Sequence, residues 1–242
     1  YTAFSEKLPP ESVVKTLNEY LSEMSTSILS HEGTLDKFMG DGIMAFWGAP
    51  LAQTDHAGHA VRCALEMIGK VNDMSKSWGC DSGDTLKVRI GINSGRSIVG
   101  NVGAESLKVE YTAIGDSVNL ASRLEQINKL YKTQLIVSEH TYNLLTKDLF
   151  AARKLDFVKV VGKSCAVFIY EISGENYTWF SEYERGLELY MNRKFDEAEV
   201  IFFRLSEEEN DYPSSLIYNR CLELKESPPD DDWDGSYVFL RK

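Results

Sequence analysis

Two polar side chains four positions apart are the first candidates for chemistry in this sequence. Asn119 and Arg123 lie in the segment YTAIGDSVNLASRLE, which occupies positions 111–125. On a helix that begins just after Asp116, residues four apart share a face, so this pair presents an amide and a guanidinium together. That face could bind a phosphate group. The alternative is a solvated polar stripe in which Arg123 pairs with a carboxylate.

Glycine-containing segments supply further candidates. Arg96 lies in GINSGRSIVGNVG at positions 91–103, where glycines let backbone amides approach an anion and a guanidinium can add bidentate contacts. Asp41 lies in KFMGDG at positions 37–42 and could simply serve the turn. A fourth segment, VVGKSCAVFIYE, occupies positions 160–171. Each segment alone has an ordinary structural explanation, so it is their combination and order that suggest a functional site.

The spacing of apolar residues predicts the elements that position these side chains. Helical periods predict four α-helices in the first part of the chain, at 10–29, 55–74, 117–127 and 139–145. A hairpin is predicted over 34–47, with Asp41 at its tip. The other predicted strands lie at 86–93, 134–138, 159–161 and 166–172. A glycine-spaced turn region is predicted over 95–103, and a further strand after it ends near 112. Interleaved strands and helices predict an α+β fold with a mixed or antiparallel sheet.

The chain changes character after Ile172. Residues 1–172 carry 18 Lys and Arg against 20 Asp and Glu, whereas residues 173–242 carry 8 against 17. We therefore predict two units, 1–172 and 173–242. The second has the apolar spacing of one helical hairpin of the tetratricopeptide type, then a third helix from Pro213 to about Lys225 and an acidic, turn-rich tail. One hairpin is too short for a solenoid, so a packing appendage is favoured over a partner-binding module.

Composition excludes several classes of protein. With 242 residues, 43% of them hydrophobic and 26% charged, the sequence is typical of a globular chain rather than a disordered or fibrous one. The longest stretch without a charged residue, 42–54, is too short to span a bilayer, and no secretory signal is expected. Neither unit is basic, which disfavours nucleic acid and anionic lipid as partners. Four widely spaced cysteines without a CxxC pair predict a reducing, cytoplasmic setting.

In combination, FMGD at 38–41 and YTAIGDSVNLASRLE at 111–125 closely resemble the catalytic domain of the class III nucleotidyl cyclases, the family of adenylate and guanylate cyclases. The resemblance covers about residues 1–172. It implies a ferredoxin-like βαββαβ core that works as a head-to-tail homodimer. It also implies two active sites at the dimer interface, each of which takes residues from both chains.

The resemblance further implies a two-ion metal site. In the family, two aspartates hold two divalent ions, Mg or Mn, which bridge the triphosphate and activate the ribose 3′ hydroxyl. Asp41 matches the second aspartate. The first is expected four residues before Tyr1, in a motif whose tail Tyr1, Thr2, Phe4 and Ser5 resemble.

Base recognition and phosphate binding are implied at five other positions. Lys37 matches the family's base-recognising lysine, which can donate to adenine N1, and Thr112 matches its partner, whose hydroxyl can accept from the N6 amine. A guanylate cyclase would usually have glutamate and cysteine at these positions, so the pair favours ATP. Asn119 matches the asparagine that orients the ribose, Arg123 the arginine that stabilises the pentacovalent phosphate, and Arg96 an arginine that contacts the terminal phosphates.

One position departs from the family pattern. A lysine that binds the triphosphate often precedes the glycine of the last motif, and here that residue is Val161. Lys163, two places later, could compensate only if the loop differs. We therefore expect weaker substrate binding or a different source of positive charge.

These matches predict an adenylate cyclase that converts ATP to 3′,5′-cyclic AMP and pyrophosphate. Val161 and the position expected for the first aspartate suggest an alternative, a catalytically weak or inactive nucleotide-binding or dimerisation module of the same fold. A guanylate cyclase is a lesser alternative. Because family members commonly follow sensory or membrane segments, the chain is expected to be cytoplasmic or the cytosolic part of a longer, membrane-anchored protein.

Overall fold

A computed structural model describes residues 9–78, 86–104, 107–160 and 165–239. Its helices are α1 (Pro10–Ser30), α2 (His56–Ser77), α3 (Asp116–Tyr131), α4 (Glu139–Tyr142), α5 (Phe180–Met191), α6 (Phe195–Glu208) and α7 (Tyr212–Glu226), with one 3-10 turn at Lys147–Leu149. Its strands are β1 (Thr34–Met39), β2 (Gly42–Phe46), β3 (Ile90–Ile92), β4 (Ile98–Ala104), β5 (Lys108–Ile114), β6 (Leu135–Ser138), β7 (Ala151–Lys159), β8 (Val167–Ser173) and β9 (Tyr237–Val238). Within these ranges, no helix combines the length and hydrophobicity needed to cross a bilayer.

Five strands form a mixed sheet in the order β3-β6-β8-β7-β9. Strand β6 runs parallel to β3 and antiparallel to β8, which in turn runs antiparallel to β7. The β1–β2 and β4–β5 hairpins each form a separate two-stranded antiparallel sheet. The predicted α+β class with a mixed sheet is confirmed.

The fully buried strand β6 separates two cores, because its side chains alternate between the faces of the sheet. Leu135 and Val137 pack against α2 on one face. Ile136 packs on the other face, with α3 and with α5 to α7. Helix α1 packs on α2 through Met24 and Ile28, which are almost completely buried. Helices therefore cover both faces of the sheet, and α3 rests on the face that the C-terminal helices also cover.

The C-terminal helices share a hydrophobic core with α3. Tyr183, Phe202 and Ile217, one from each of α5, α6 and α7, belong to the same cluster of buried residues as Leu124. After α7 the acidic segment turns back, and β9 pairs in parallel with β7. The three predicted helices are confirmed. The boundary at 172/173 and the tetratricopeptide likeness stay predictions, and the shared core favours the interpretation as a packing appendage.

The prediction of a glycine-spaced turn over 95–103 is wrong for most of its length. Residues 98–104 form β4, which pairs with β5 along seven residue pairs, and β5 continues to Ile114. Gly100 and Gly103 weaken an isolated strand, but the hydrogen bonds of the neighbouring strand override that weak local preference.

The strand predicted at 159–161 overlaps the observed strand at its first residue alone, since β7 covers 151–159, and residue 161 lies outside the described ranges. The pattern of β7 is obscured because Arg153 and Asp156, both charged, are buried within it. Strand β3 is shorter than the predicted 86–93, and α4 ends before the predicted 145. The remaining predicted helices, and the strands at 34–47, 134–138 and 166–172, are confirmed to within a few residues.

Candidate active site

The β1–β2 hairpin carries three polar side chains of interest. Gly40 adopts a positive φ of 68° beside Asp41, which places Asp41 at the hairpin tip as predicted. The register between β1 and β2 shifts between Leu35 and Lys37. Such a bulge adds one residue without a partner and redirects the side chains beside it. The added residue is Asp36, and both Asp36 and Lys37 contact β5.

Strand β5 supplies the partners of these two side chains. Glu110 and Thr112 are two residues apart and so point to the same face of the strand. The Lys37 ammonium donates a hydrogen bond to Glu110 Oε2 at 2.6 Å. This hydrogen bond raises the pKa of Lys37, which keeps its side chain a cationic donor. The predicted base-recognising residues, Lys37 and Thr112, therefore face the same space.

Asp36 connects β1 to β5 below that space. Its side chain is fully buried. Asp36 Oδ2 accepts hydrogen bonds from the Thr112 hydroxyl at 2.6 Å and from the backbone N–H of Ala113 at 3.2 Å. Asp36 Oδ1 makes no hydrogen bond with the residues that the structure describes, although Lys37 Nζ lies 3.4 Å from it.

Helix α3 presents Asn119 and Arg123 one turn apart, as predicted. Asn119 is exposed and Arg123 is half-buried. The helix lies directly against β3, because a Cβ at Gly91 would lie 2.3 Å from the carbonyl oxygen of Ala121 and from the backbone nitrogen of Glu125. Only glycine permits so close a contact between the strand and the helix backbone.

Side-chain hydrogen bonds fix the position of α3 at both ends. Near its start, Asn93 Nδ2 donates to the carbonyl of Ser117 at 2.9 Å, while Ser138 donates to Asn93 Oδ1 at 2.6 Å. Near its end, Asn128 Nδ2 donates to the carbonyl of Ile90 at 2.9 Å. The strands β3 and β6 thus determine where Asn119 lies.

Arg96 lies in the exposed segment between β3 and β4, beside the start of α3. The hydroxyl of Ser117 contacts both the carbonyl oxygen of Arg96, at 3.0 Å, and the hydroxyl of Ser97, at 2.6 Å. These contacts hold the backbone at Arg96 next to the helix N-terminus, while its guanidinium is exposed to solvent.

An open groove of about 680 Å³ lies between β1, β5 and the start of α3. Its lining brings together Lys37, Thr112 and Asn119 of the predicted site, together with Glu110 and the apolar side chains of Met39, Met44 and Val102. Asp41, Arg96 and Arg123 do not line it. The groove therefore combines apolar side chains with a cationic, a hydroxyl and an amide group, which suits a heterocyclic base and a sugar.

Residues 1–180 match the family model of the adenylate and guanylate cyclase catalytic domain. The chain belongs to this family. The resemblance based on FMGD and YTAIGDSVNLASRLE is thereby confirmed.

Several cyclases are similar to this chain. Adenylate cyclase 1 of Rhizobium meliloti (strain 1021) is 40% identical over 174 residues, which cover 72% of this chain and 26% of that protein. The terminal-differentiation specific adenylate cyclase of Dictyostelium discoideum is 36% identical over 238 residues, which cover 92% of this chain and 11% of that protein. The crystal structure of the adenylyl cyclase CyaB from P. aeruginosa matches with a TM-score of 0.65 and 36% identity, over 72% of this chain and 89% of that one.

These matches confirm the expected cyclase core. Structures described as guanylyl cyclases match the chain as well, so the fold alone does not distinguish the two substrates. The chain spans between 11% and 34% of the length of the first curated relatives that it matches.

The described part of this cyclase domain offers one predicted metal ligand, Asp41. Carboxylate oxygens are the donors that Mg and Mn prefer. Asp41 interacts electrostatically with Tyr20. Burial raises the pKa of Tyr20 and the negative charge of Asp41 raises it further, to about 12. No group of three His, Cys, Asp or Glu side chains suited to a metal occurs in the described ranges. The chemistry of Asp41 thus fits a divalent ion, and the described residues supply one carboxylate for it.

Some predictions about this domain fall on residues outside the described ranges. They concern Val161, Lys163 and the motif tail of Tyr1, Thr2, Phe4 and Ser5. They stay predictions.

Two residues beside Thr112 are not predicted from the sequence: Glu110, which lines the groove, and Asp36, which lies behind Thr112 and outside the lining. The signal for Glu110 is its position two residues before Thr112 on a strand, which places both side chains on one face. Asp36 has no comparable signal, because in a regular strand it would point away from the face that Lys37 occupies. Only the bulge in β1 brings both side chains to β5.

Proposed function

We propose that this cyclase domain is an adenylate cyclase that converts ATP to 3′,5′-cyclic AMP and pyrophosphate. The observation that carries the proposal is that Lys37, Thr112 and Asn119 line the same groove. An ammonium can donate to adenine N1, and a hydroxyl can accept from the adenine N6 amine. Guanine reverses both polarities, with a donor at N1 and an acceptor at O6.

The proposed reaction is an in-line displacement at phosphorus. The ribose 3′ oxygen forms a bond to the α phosphorus, the bond from that phosphorus to the bridging oxygen of pyrophosphate breaks, and the proton of the 3′ hydroxyl passes to solvent. Asn119 orients the ribose, and Arg123 stabilises the negative charge that develops on the pentacovalent phosphate. Arg96 contacts the terminal phosphates. Catalysis is then mainly positioning and charge stabilisation.

Divalent ions complete this chemistry. Asp41 would hold Mg or Mn, and such ions, when bound, neutralise phosphate charge and lower the pKa of the attacking hydroxyl. Asp41 lies outside the lining of the groove that contains Lys37 and Asn119. A second copy of the chain could supply Asp41, as expected for sites shared between two protomers.

The surface of the β4–β5 hairpin supports a homodimer. Ile98, Val102 and Ile114 are exposed on one face of this hairpin, with 76%, 40% and 48% of their surface accessible. Contiguous exposed apolar side chains are typical of an interaction surface. If this hairpin packed against a second copy of the chain, residues of that copy would come to lie beside the groove. A cytoplasmic location and an upstream sensory or membrane region remain part of the proposal.

The decisive experiment measures cyclic AMP formation from MnATP by a parent protein that extends upstream of Tyr1 and so includes the position expected for the first aspartate. Arg123→Ala should lower kcat by about hundredfold or more, because it removes a donor to the transition state. Arg185→Ala on α5, whose side chain is 66% exposed, is the matched control and should keep parental activity. An Arg123→Ala protein as active as its parent would contradict the role of Arg123, and an inactive parent would contradict the function.

Mixing two inactive variants tests whether the sites are shared. If Asp41 and Arg123 act in one site from different protomers, heterodimers of Asp41→Ala and Arg123→Ala keep one intact site. Activity should then recover to about a quarter of the parental value at equal mixing, because half of the dimers are heterodimers with one of two sites intact. A mixture with no recovery would place both residues on the same protomer.

Two other functions remain as outcomes of these assays. A guanylate cyclase is suggested by the guanylyl cyclase structures that match. Lys37→Glu combined with Thr112→Cys should shift preference from ATP toward GTP, and an unchanged preference would contradict the proposed base recognition. A non-catalytic nucleotide-binding module is suggested by Val161, and ATP binding without turnover would support it.

A further inference from the structure

The hydroxyl of Thr112 could in principle recognise either purine. A threonine hydroxyl has one donor hydrogen and two acceptor lone pairs, and the hydrogen rotates to suit its neighbours. It could accept from the N6 amine of adenine or donate to the O6 oxygen of guanine. A threonine at this position therefore gives a preference for adenine only if another group fixes the direction of the hydroxyl hydrogen.

The structure provides such a partner. Asp36 Oδ2 lies 2.6 Å from the Thr112 hydroxyl and also accepts the backbone N–H of Ala113. The other carboxylate oxygen, Asp36 Oδ1, lies 3.4 Å from Lys37 Nζ. An ionised carboxylate has acceptors only, so the hydrogen in the bond between Asp36 and Thr112 belongs to Thr112. The side chain of Asp36 is fully buried, so water does not compete with Thr112 for its carboxylate.

We propose that Asp36 is a positioning residue for base selection, which holds Thr112 as an acceptor and so gives the groove its preference for a purine with an amine at position 6. With its hydrogen committed to Asp36, Thr112 turns only lone pairs toward the groove. The adenine amine can donate to them. The O6 oxygen of guanine would instead meet lone pairs, which is repulsive, so the arrangement also disfavours the wrong base. The inference rests on the proposed function, since it concerns the same site.

The bulge in β1 is what makes this arrangement possible. Without the extra residue, Asp36 and Lys37 would point to opposite faces of the strand. With it, one strand supplies both the cation for N1 and the carboxylate behind Thr112. A purely structural role for Asp36, as a tie between β1 and β5, would use the same two hydrogen bonds. The two roles differ in what happens to the choice between bases.

The experiment compares kcat/KM for ATP with that for ITP and GTP. ITP differs from ATP only along the base edge that Lys37 and Thr112 face, and it lacks the 2-amino group of guanine. The parent should prefer ATP over ITP by at least about tenfold, the equivalent of one hydrogen bond. Asp36→Ala should reduce that preference by about tenfold, because the freed Thr112 hydroxyl can rotate and donate to O6.

Three further variants separate base selection from structural support. Asp36→Leu removes the acceptor while filling most of the space, so it should match Asp36→Ala even if the alanine variant folds poorly. Asp36→Asn keeps one carbonyl oxygen that can accept both hydrogen bonds, and it should retain the ATP preference to within about threefold. In a Thr112→Val background, which has no hydroxyl to orient, replacing Asp36 should no longer change the ratio.

The outcomes distinguish this inference from the proposed function. If Asp36→Ala and Asp36→Leu lower activity equally on ATP and ITP, Asp36 is only structural and the inference is overturned. The same follows if the parent does not discriminate between the two nucleotides. If the parent turns over neither, the proposed function fails, and equilibrium binding of ATP and ITP to the same set of proteins still tests the role of Asp36 without any reaction.

Discussion

Replacing Arg220 by methionine should destabilise this protein strongly, although Arg220 lies in α7, far along the sequence from the predicted site. Arg220 donates to Asp156 on β7 and to the hydroxyl of Tyr131, at 3.0 Å, at the end of α3. Tyr131 also donates to Asp156. Asp156 is fully buried and the Arg220 side chain is 9% exposed. Burial alone would lower the pKa of Arg220, yet Tyr131 and Asp156 hold it well above its ordinary value.

The expected magnitude follows from the burial of Asp156. The net contribution of a buried ion pair is small, because desolvation offsets the attraction between the charges. Removing one partner is different, since Asp156 would remain buried without its counter-charge, at a cost of about 3–5 kcal/mol. For a chain of this size, that corresponds to a fall in Tm of roughly 6–20 °C.

Urea unfolding followed by tryptophan fluorescence measures this free energy. Trp47 and Trp78 report on the region around α1 and α2, while Trp179 and Trp233 report on the C-terminal helices. Arg185→Met, on the exposed face of α5, is the matched control and should change stability by less than about 0.5 kcal/mol.

A second substitution tests the cause. Adding Asp156→Asn to Arg220→Met removes the uncompensated charge, so the double variant should be more stable than Arg220→Met by about 1–2 kcal/mol. If Arg220→Met unfolds within about 1 kcal/mol of its parent, or if the double variant is less stable than the single one, the reasoning from buried charge is wrong.

Three further predictions concern the site and its supports. Gly91→Ala should cost about 1–3 kcal/mol in urea unfolding and lower cyclase activity, because its Cβ would lie 2.3 Å from the α3 backbone; parental stability would contradict the close contact. Glu110→Ala should raise KM for ATP about three- to tenfold, because Lys37 loses the carboxylate that orients its ammonium, and an unchanged KM would show that Lys37 needs no such partner. Glu66→Gln should destabilise by about 1 kcal/mol or less at pH 7, since Glu66 is 38% exposed and screened. Hydrogen bonds from His31 and Ser27 lower the pKa of Glu66 from 4.5 to about 2. The difference in free energy of unfolding between Glu66→Gln and its parent should therefore be complete above pH 4.5 and disappear as the pH falls through 2. A difference that grows toward acid pH would contradict the lowered pKa.

The sequence predicts the parts of the fold that depend on local pattern. The periods of α1, α2 and α3 are clear because each helix has one apolar face against a core. The Gly-Asp-Gly turn predicts the β1–β2 hairpin because glycine permits the positive φ that such a turn requires. These elements carry Lys37, Asp41, Asn119 and Arg123, so most of the candidate site can be predicted together with them.

What the sequence does not predict depends on contacts between distant segments. Strand β4 forms because β5 pairs with it, and its glycines hide that from a local pattern. The side chain of Asp36 reaches Thr112 because of a bulge, which no spacing of residues in β1 reveals. The wrong prediction over 98–103 and the missed residue Asp36 both lie where pairing between strands decides the structure.

Strand β7 shows the same principle and also bears on the organisation of the chain. A buried arginine at 153 and a buried aspartate at 156 are incompatible with an ordinary strand in a hydrophobic core, because each buried charge needs a partner. Arg153 finds Glu171 on β8 and a bidentate partner in Asp211, whose carboxylate also caps the start of α7. Asp156 finds Arg220.

Two charged residues of the strand thus depend on α7, a helix more than fifty residues later. The composition separates the acidic C-terminal segment from the rest of the chain, but the buried charges require that segment to lie against the sheet. Because Tyr131 joins the same network at the end of α3, the C-terminal helices and the helix that carries Asn119 and Arg123 share one support. A change in how α7 packs would therefore reach the predicted catalytic helix through Asp156 and Tyr131, although the described lining of the groove includes no residue of α7.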